Sequence, residues 1–225
     1  MIELPDVSAD DLARLHRDLA ARAAADGLLD VAYRTVDSPV GRLLLARTPA
    51  GLIRVAFQVQ DHDAVLSALA SSVSPRVLEA PQQLDDVARE LDEYFAGRRT
   101  AFDVPLDLQL LRGFRRDVVL HLPDIAYGRT ASYAAMATLA GSPRAVRAVG
   151  TACALNPLPV VLPCHRVVRS DGSPGQYAGG AEAKLTLLEL ETRVGVATTL
   201  RRHTDTRLEL EEGQLGLRSP GVLPG

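Results

Sequence analysis

Apolar positions recur along this chain with two different periods. Leu12, Leu15, Leu19 and Ala23 keep helical spacing behind Ser8-Ala9-Asp10-Asp11, which can cap a helix start, and Gly27 stops the pattern. This first helix is expected to pack on the following domain or on a partner, with His16 at the surface. Three short apolar runs come next, 31–36, 42–47 and 52–58, separated by the turn-forming stretches 37–41 and 48–51. They predict two or three antiparallel strands in a meander. Residues 61–72 read as a helix. Leu84, Val87, Ala88, Leu91 and Phe95 then hold a 3.6-residue period until Gly97 ends it.

A second unit begins near Arg112-Gly113-Phe114 with a helix to about Leu122, closed by Ile125-Ala126-Tyr127-Gly128. Thr130-Ala131-Ser132-Tyr133 leads into a short helix to Ala140, and Gly141 makes a turn. Ser142 can cap a following helix with Pro143 at its first position, running to about Cys153. Helix, glycine turn, helix is a helix-turn-helix pattern, which a plain αα-hairpin shares. In its second helix Ala145, Ala148 and Gly150 keep part of the surface thin. Val146 and Val149 can face a core, and Arg147 is the long side chain left to project. A last amphipathic helix opens at Tyr177-Ala178-Gly179-Gly180 and ends in Leu187-Leu188-Glu189-Leu190-Glu191.

Composition narrows the class. At 225 residues the chain can hold one large domain or two small ones, and 47% of its residues are apolar. No apolar run approaches the ~20 residues that cross a bilayer. Two cysteines, Cys153 and Cys164, argue against a disulfide framework and for a reducing compartment. The acidic start is not followed by an apolar secretory core, so a cytoplasmic protein is expected. His62 has no Cys or His at ligand spacing, and no metal or cofactor is expected. The net charge of −3 does not suggest nucleic acid, but its distribution does: residues 112–193 carry ten Arg or Lys against six Asp or Glu.

The candidate chemistry lies in Pro163-Cys164-His165-Arg166, between the apolar run 158–162 and Val167-Val168. Alone, a cysteine next to a histidine is most often a buried thiol beside a surface imidazole. Its surroundings change the reading: Asn156-Pro157 stands eight residues before the cysteine, glycines follow at 172 and 175, and an acid-bearing helix comes after. The stretch from Asn156 to Glu191 resembles the active-site segment of the O6-alkylguanine-DNA alkyltransferases, single-turnover DNA repair proteins. The resemblance is densest from Gly128 to Glu191 and thinner from Tyr33 to Val119, where Tyr94-Phe95-Ala96-Gly97-Arg98-Arg99 carries it. It gives out in the first thirty residues and in the tail.

That resemblance implies an α+β chain. An N-terminal extension (1–30) would precede a ribonuclease-H-like α/β domain (31–111), a mostly helical winged-helix domain (112–195) and a tail (196–225). It implies a partner, double-stranded DNA containing O6-alkylguanine, and a reaction in which the alkyl group passes to Cys164 after the nucleotide leaves the stack. O4-alkylthymine is left open as a second substrate. So is clustering of copies on DNA, a monomer being expected. His165 would act as base through a water and Glu191 would orient the imidazole; Glu189, about 200° away on the helix, is the competitor. Tyr133 would protonate the leaving guanine, and Asn156 would brace the turn presenting the cysteine. Arg147 would fill the gap left by the nucleotide, with Ala145, Ala148, Gly150, Ser132 and Arg166 completing the DNA surface. Tyr177, Ala178, Val167 and Pro159 would line the base pocket. Val119, Ala126 and Thr186 depart from the family's usual residues. Other readings are a lesion-binding relative without repair activity, in which tryptophan replaces the cysteine, a Cys-His hydrolase, and a winged-helix regulator.

Overall fold

The computed structural model of the protein describes residues 8–194. The expected tail and the first seven residues lie outside them.

Helix α1, Ala9–Ala25, starts where Ser8 accepts the Asp11 N–H at its hydroxyl. Of its residues only Ala20 is buried; Leu12, Leu15 and Leu19 are each more than half exposed. Of the two expectations, packing on the following domain is not met by this stripe, which faces solvent. The helix is held by Ala20 and by His16, whose Nε2 donates to the Glu79 carbonyl at 2.8 Å.

The meander forms as predicted, with β1 (Val31–Val36), β2 (Leu43–Thr48) and β3 (Gly51–Phe57) antiparallel in sequence order. Helix α2 (His62–Ser72) then crosses to β4 (Val77–Glu79), a three-residue strand that pairs parallel with β1. The sheet order is β3-β2-β1-β4. The short β4 gave too little alternation to be read from sequence. Both faces of the sheet are covered, which explains why β2 is apolar without alternation. Leu44, Ala46, Ile53 and Ala56 pack with Val65 and Leu69 of α2. Leu43, Leu45, Leu52, Val55 and Phe57 point the other way, into a core shared with α3 (Asp85–Phe95) and the second domain.

The second domain begins with α4 (Gly113–Leu120) and continues through β5 (Ala131–Ser132), α5 (Tyr133–Leu139), α6 (Val146–Ala154) and β6 (Val167–Val168). A helix spanning 180–194, α7, closes the described chain. The hairpin's second helix starts at Val146, three residues later than expected. Ser142 closes a turn instead, its carbonyl accepting the Ala145 N–H. Val146, expected to face the core, is 37% exposed, and Val149 alone of the pair is buried. Parallel pairing of β5 with β6 ties the helical hairpin to the segment that follows Cys164.

The two domains share one core and are bonded directly. The Val55 N–H donates to the Pro157 carbonyl at 2.8 Å, and Phe57 packs edge-on against Tyr177. Leu45→Ala should lower stability by about 2–5 kcal/mol, because the side chain is fully buried in that core. Leu12→Ala should stay within about 0.5 kcal/mol. Urea unfolding midpoints of the two variants measure the contrast.

Candidate active site

Residues 156–168 are all buried, and one side-chain amide organises them. Asn156 accepts the Leu158 N–H at Oδ1 (3.0 Å) and donates from Nδ2 to the Leu162 carbonyl (2.8 Å) and to Cys164 Sγ (3.2 Å). Within this loop Val160 holds φ +71°, the left-handed region that a β-branched residue rarely enters. Such strain costs of order 1–3 kcal/mol and persists only where surrounding bonds fix it. Here they do: Leu162 N–H bonds the Leu158 carbonyl, and Pro157 is held by Val55. The loop ends in a 3₁₀ turn, Cys164–Arg166, all three of whose residues are buried.

His165 is fully buried and its Nε2 lies 2.9 Å from Glu191 Oε1. The carboxylate also receives Arg166 in a fork (Nε to Oε2, Nη2 to Oε1, both 2.9 Å), the Tyr94 hydroxyl at 2.8 Å and the Gly128 N–H at 3.0 Å. Gly128 has φ +70°, and a Cβ there would sit 3.1 Å from the Glu191 carbonyl, so glycine permits this approach. Burial pushes the Glu191 carboxyl up, but the hydrogen bonds from His165 and Arg166 outweigh it and hold the group at about 2. Glu191 is thus ionised and can only accept. Nε2 of His165 must carry the proton, and the Tyr94 hydroxyl, 3.4 Å from Nε2, donates to Glu191 instead. Burial lowers the imidazole below its ordinary value despite the carboxylate, so it is neutral at pH 7. Its lone pair lies on Nδ1, which is buried and has no hydrogen-bond partner among the described residues.

Cys164 is 1% exposed, and burial pushes its thiol up to about 11. The Asn156 amide and the charge of Lys184 pull the other way. Lys184, the sole lysine of the sequence, is fully buried and donates to the Val167 carbonyl at 2.6 Å, between the rings of Tyr133 and Tyr177, each 6.0 Å away. A buried ammonium without a carboxylate partner is costly, and it favours any anion formed at Cys164. Tyr133 opens α5, and burial raises its hydroxyl, keeping it protonated. Gly175 packs against that hydroxyl so closely that a Cβ would lie 2.7 Å away. Outside Tyr133 runs a groove of about 630 Å³ lined by Arg147, Gly150, Thr151, Arg169 and Gln176. A nucleophile, a base with a fixed tautomer, a proton donor and an arginine-bearing groove suit an SN2 displacement on a base presented from nucleic acid.

Comparison with known proteins agrees with this chemistry. The family model described as the 6-O-methylguanine DNA methyltransferase ribonuclease-like domain matches residues 31–108, and the DNA binding domain of the same family matches 113–193. A methylated-DNA–protein-cysteine methyltransferase of Mycolicibacterium paratuberculosis is 40% identical over 165 residues, 72% of this chain and 93% of the relative. The chain belongs to the 6-O-methylguanine DNA methyltransferase family. A constitutive methylated-DNA–protein-cysteine methyltransferase of Bacillus subtilis is 37% identical, covering 71% of this chain and 94% of the relative. Among solved structures, the O6-methylguanine methyltransferase of Mycobacterium tuberculosis superposes with a TM-score of 0.63 at 38% identity, over 72% of this chain and 93% of that one. The M. tuberculosis protein in complex with DNA gives 0.62.

Within that family frame, the structure brings Cys164, His165, Glu191 and Asn156 into one cluster, with Tyr133 at its edge. Arg147 and Ala148 lie exposed on α6, Ala145 caps that helix, and Gly150 lines the groove. Ser132 caps α5, accepting the Ala135 N–H. Arg166 requires correction. Expected on the DNA surface, it is 6% exposed and spends its guanidinium on Glu191 and the Ile125 carbonyl. Of the expected pocket, Val167 and Pro159 are buried and Tyr177 and Ala178 half-buried. None of the four lines the groove, and neither does Cys164. Tyr94 and Lys184 were missed. Lys184 could have been found, because it shares a helix face with Leu187 and Glu191, three and seven residues on, so both charges fall on the buried stripe.

A carboxyl held at about 2 in the fold contributes stability above its unfolded value near 4.5, and that contribution is lost as the pH falls toward 2. In Glu191→Gln the unfolding free energy should therefore fall less steeply between pH ~4.5 and ~2, by roughly 1.4 kcal/mol for each pH unit. An unchanged slope would contradict the assignment. Lys184→Met should slow alkylation of Cys164 by a neutral electrophile about tenfold or more, equivalent to about one pKa unit at the thiol. Intact-mass kinetics of the variant read this directly.

Proposed function

We propose that this protein repairs DNA by taking the alkyl group from O6-alkylguanine onto Cys164 Sγ, one molecule per lesion. One observation carries the reading. A free thiol sits against the Asn156 amide, beside a neutral imidazole whose outer nitrogen is locked to a buried carboxylate, leaving Nδ1 to accept a proton.

The order of events follows from the groups. DNA phosphates attract the basic second domain, and α6 approaches the minor groove through its thin surface at Ala148 and Gly150. Arg147 enters the stack and offsets the few kcal/mol that unstacking costs. The alkylated base passes Tyr133 and meets the main chain near Cys164, Val167 and Ala178, with Tyr177 beside it. The resting thiol, pushed up to about 11 by burial, is neutral at pH 7. Its proton moves to His165 Nδ1, directly or along a water, as the S–C bond forms and the C–O6 bond breaks. Glu191 stabilises the imidazolium, and Lys184 stabilises the charge left on sulfur. Tyr133 donates a proton to guanine as it leaves, and the proton lost by the thiol replaces it. Atoms and charge then balance: thiol and O6-alkylguanine become thioether and guanine. One chain supplies every group, so a monomer suffices.

The thiol's burial and its separation from the groove favour a second reading, a lesion binder that does not react. The two part on one experiment. Incubation with duplex DNA carrying labelled O6-methylguanine should transfer one equivalent of label to the protein and then stop. Cys164→Ser should keep lesion binding within about twofold and transfer nothing, losing more than the roughly 10²–10⁴-fold ordinarily tied to a single proton-transfer group. Tight binding by wild type with no adduct on Cys164 would establish the second reading.

A further inference from the structure

The first domain is acidic, and its partly buried arginines are almost all matched to carboxylates. Arg34 pairs with Asp85, Arg47 with Asp86, and Arg99 with Glu90, Glu93 and Asp103. Arg54, on β3, is the exception. It is half-buried, no carboxylate of the described residues lies within ion-pairing distance, and its Nε is shielded from solvent without a hydrogen-bond partner among them. Burial lowers its pKa with no anion to oppose the shift.

Arg54 lines a cavity of about 430 Å³ between the domains, together with Arg115 from α4. Arg115 is also half-buried and makes no ion pair among the described residues. Gln60 and Ser72 add two neutral polar groups, the other walls are small or apolar, Leu69, Leu110 and Pro157 among them, and no acidic side chain of the described residues lines the space. Asp61, next to the lining residue Gln60, is turned to its own helix, where it accepts the Asp63 and Ala64 N–H groups. Two arginines facing one concavity with no internal anion call for an external one.

The position of the cavity says which anion. Ala154 and Leu155, at the C-terminal end of α6, form part of its wall and also part of the groove that holds Arg147 and Arg169. Both concavities thus lie against one helix, each has two arginines, and neither is lined by an acid among the described residues. From Arg147 to Leu155 is eight residues, about 12 Å along the helix. At about 3.4 Å per nucleotide that is three to four phosphates along a strand. We infer that Arg54 and Arg115 form a phosphate cradle for the DNA backbone a few nucleotides from the lesion, so that the ribonuclease-like domain takes part in DNA binding. This rests on the repair reading above, and it adds an interface that α6 alone does not supply.

The test uses the full chain and a fluorescein-labelled duplex containing one O6-methylguanine. Binding is measured by fluorescence anisotropy from about 50 to 200 mM salt, for wild type, Arg54→Gln/Arg115→Gln and Arg54→Lys/Arg115→Lys. For every phosphate no longer neutralised, the slope of log K against log salt should become shallower by about 0.9. The Gln pair should therefore show a slope shallower by about one to two and bind more weakly on any sequence, while the Lys pair keeps most of both. Transfer from free O6-benzylguanine base, which has no backbone, should be unaltered in both. Equal slopes for wild type and the Gln pair would overturn the cradle. So would a parallel loss of reaction with the free base, which would make these residues structural. If wild type itself fails to bind the duplex, the repair reading falls first and the cradle with it.

Discussion

Glu191 accepts hydrogen bonds from His165 and Arg166 of the cysteine turn, from the Gly128 backbone, and from Tyr94 of the first domain. Four separate stretches of chain, its own helix included, meet on one carboxylate that is 1% exposed. Burying that charge is expensive, and only a full set of partners makes it tolerable; removing one partner from such a cluster commonly costs about 3–5 kcal/mol. The same bonds that make it tolerable fix the His165 tautomer. Fold and chemistry therefore share one constraint. The carboxylate cannot be buried without its partners, and with those partners in place Nδ1 is left basic.

The resting site is closed, and its thiol is held neutral. A low-pKa cysteine open to solvent is prone to oxidation, and an oxidised acceptor is spent. Here burial raises the thiol while Asn156 and Lys184 stand ready to favour the anion. Tyr133 and Gly175 pack together in the wall of the groove, which Cys164 does not line. Nucleophilicity is thus stored in the arrangement of neighbours and released when a base enters and the proton has somewhere to go. The strained Val160 loop fits this scheme, because the Asn156 amide that places the sulfur also bonds Leu158 and Leu162 on either side of Val160.

Much of this was legible in the sequence, for identifiable reasons. The meander was readable because Pro and Gly punctuate its apolar runs, and the cysteine site because Asn156, Cys164, His165 and Glu191 keep a recognisable spacing. Arg166 misled because a charged residue next to a surface-binding motif reads as a phosphate contact; only the three-dimensional approach of Glu191 shows otherwise. Leu12, Leu15 and Leu19 mark a different limit. Helical periodicity identifies an apolar face, but it does not say whether the fold covers that face, and nothing among the described residues does so. Tyr94 joins the site from 71 residues before His165, a distance no local pattern spans.

The account depends most on Glu191 making His165 a base for Cys164. The direct measurement is the single-turnover rate of alkyl transfer from O6-benzylguanine to wild type and to Glu191→Gln, with the adduct mapped to residue and the fold checked by circular dichroism. A folded Gln variant should still alkylate only Cys164, about a hundredfold or more slowly, the lower range expected for a positioned general base. A folded variant reacting at about the wild-type rate would show that the sulfur does not need this histidine–carboxylate pair, and the mechanism argued from it would be wrong.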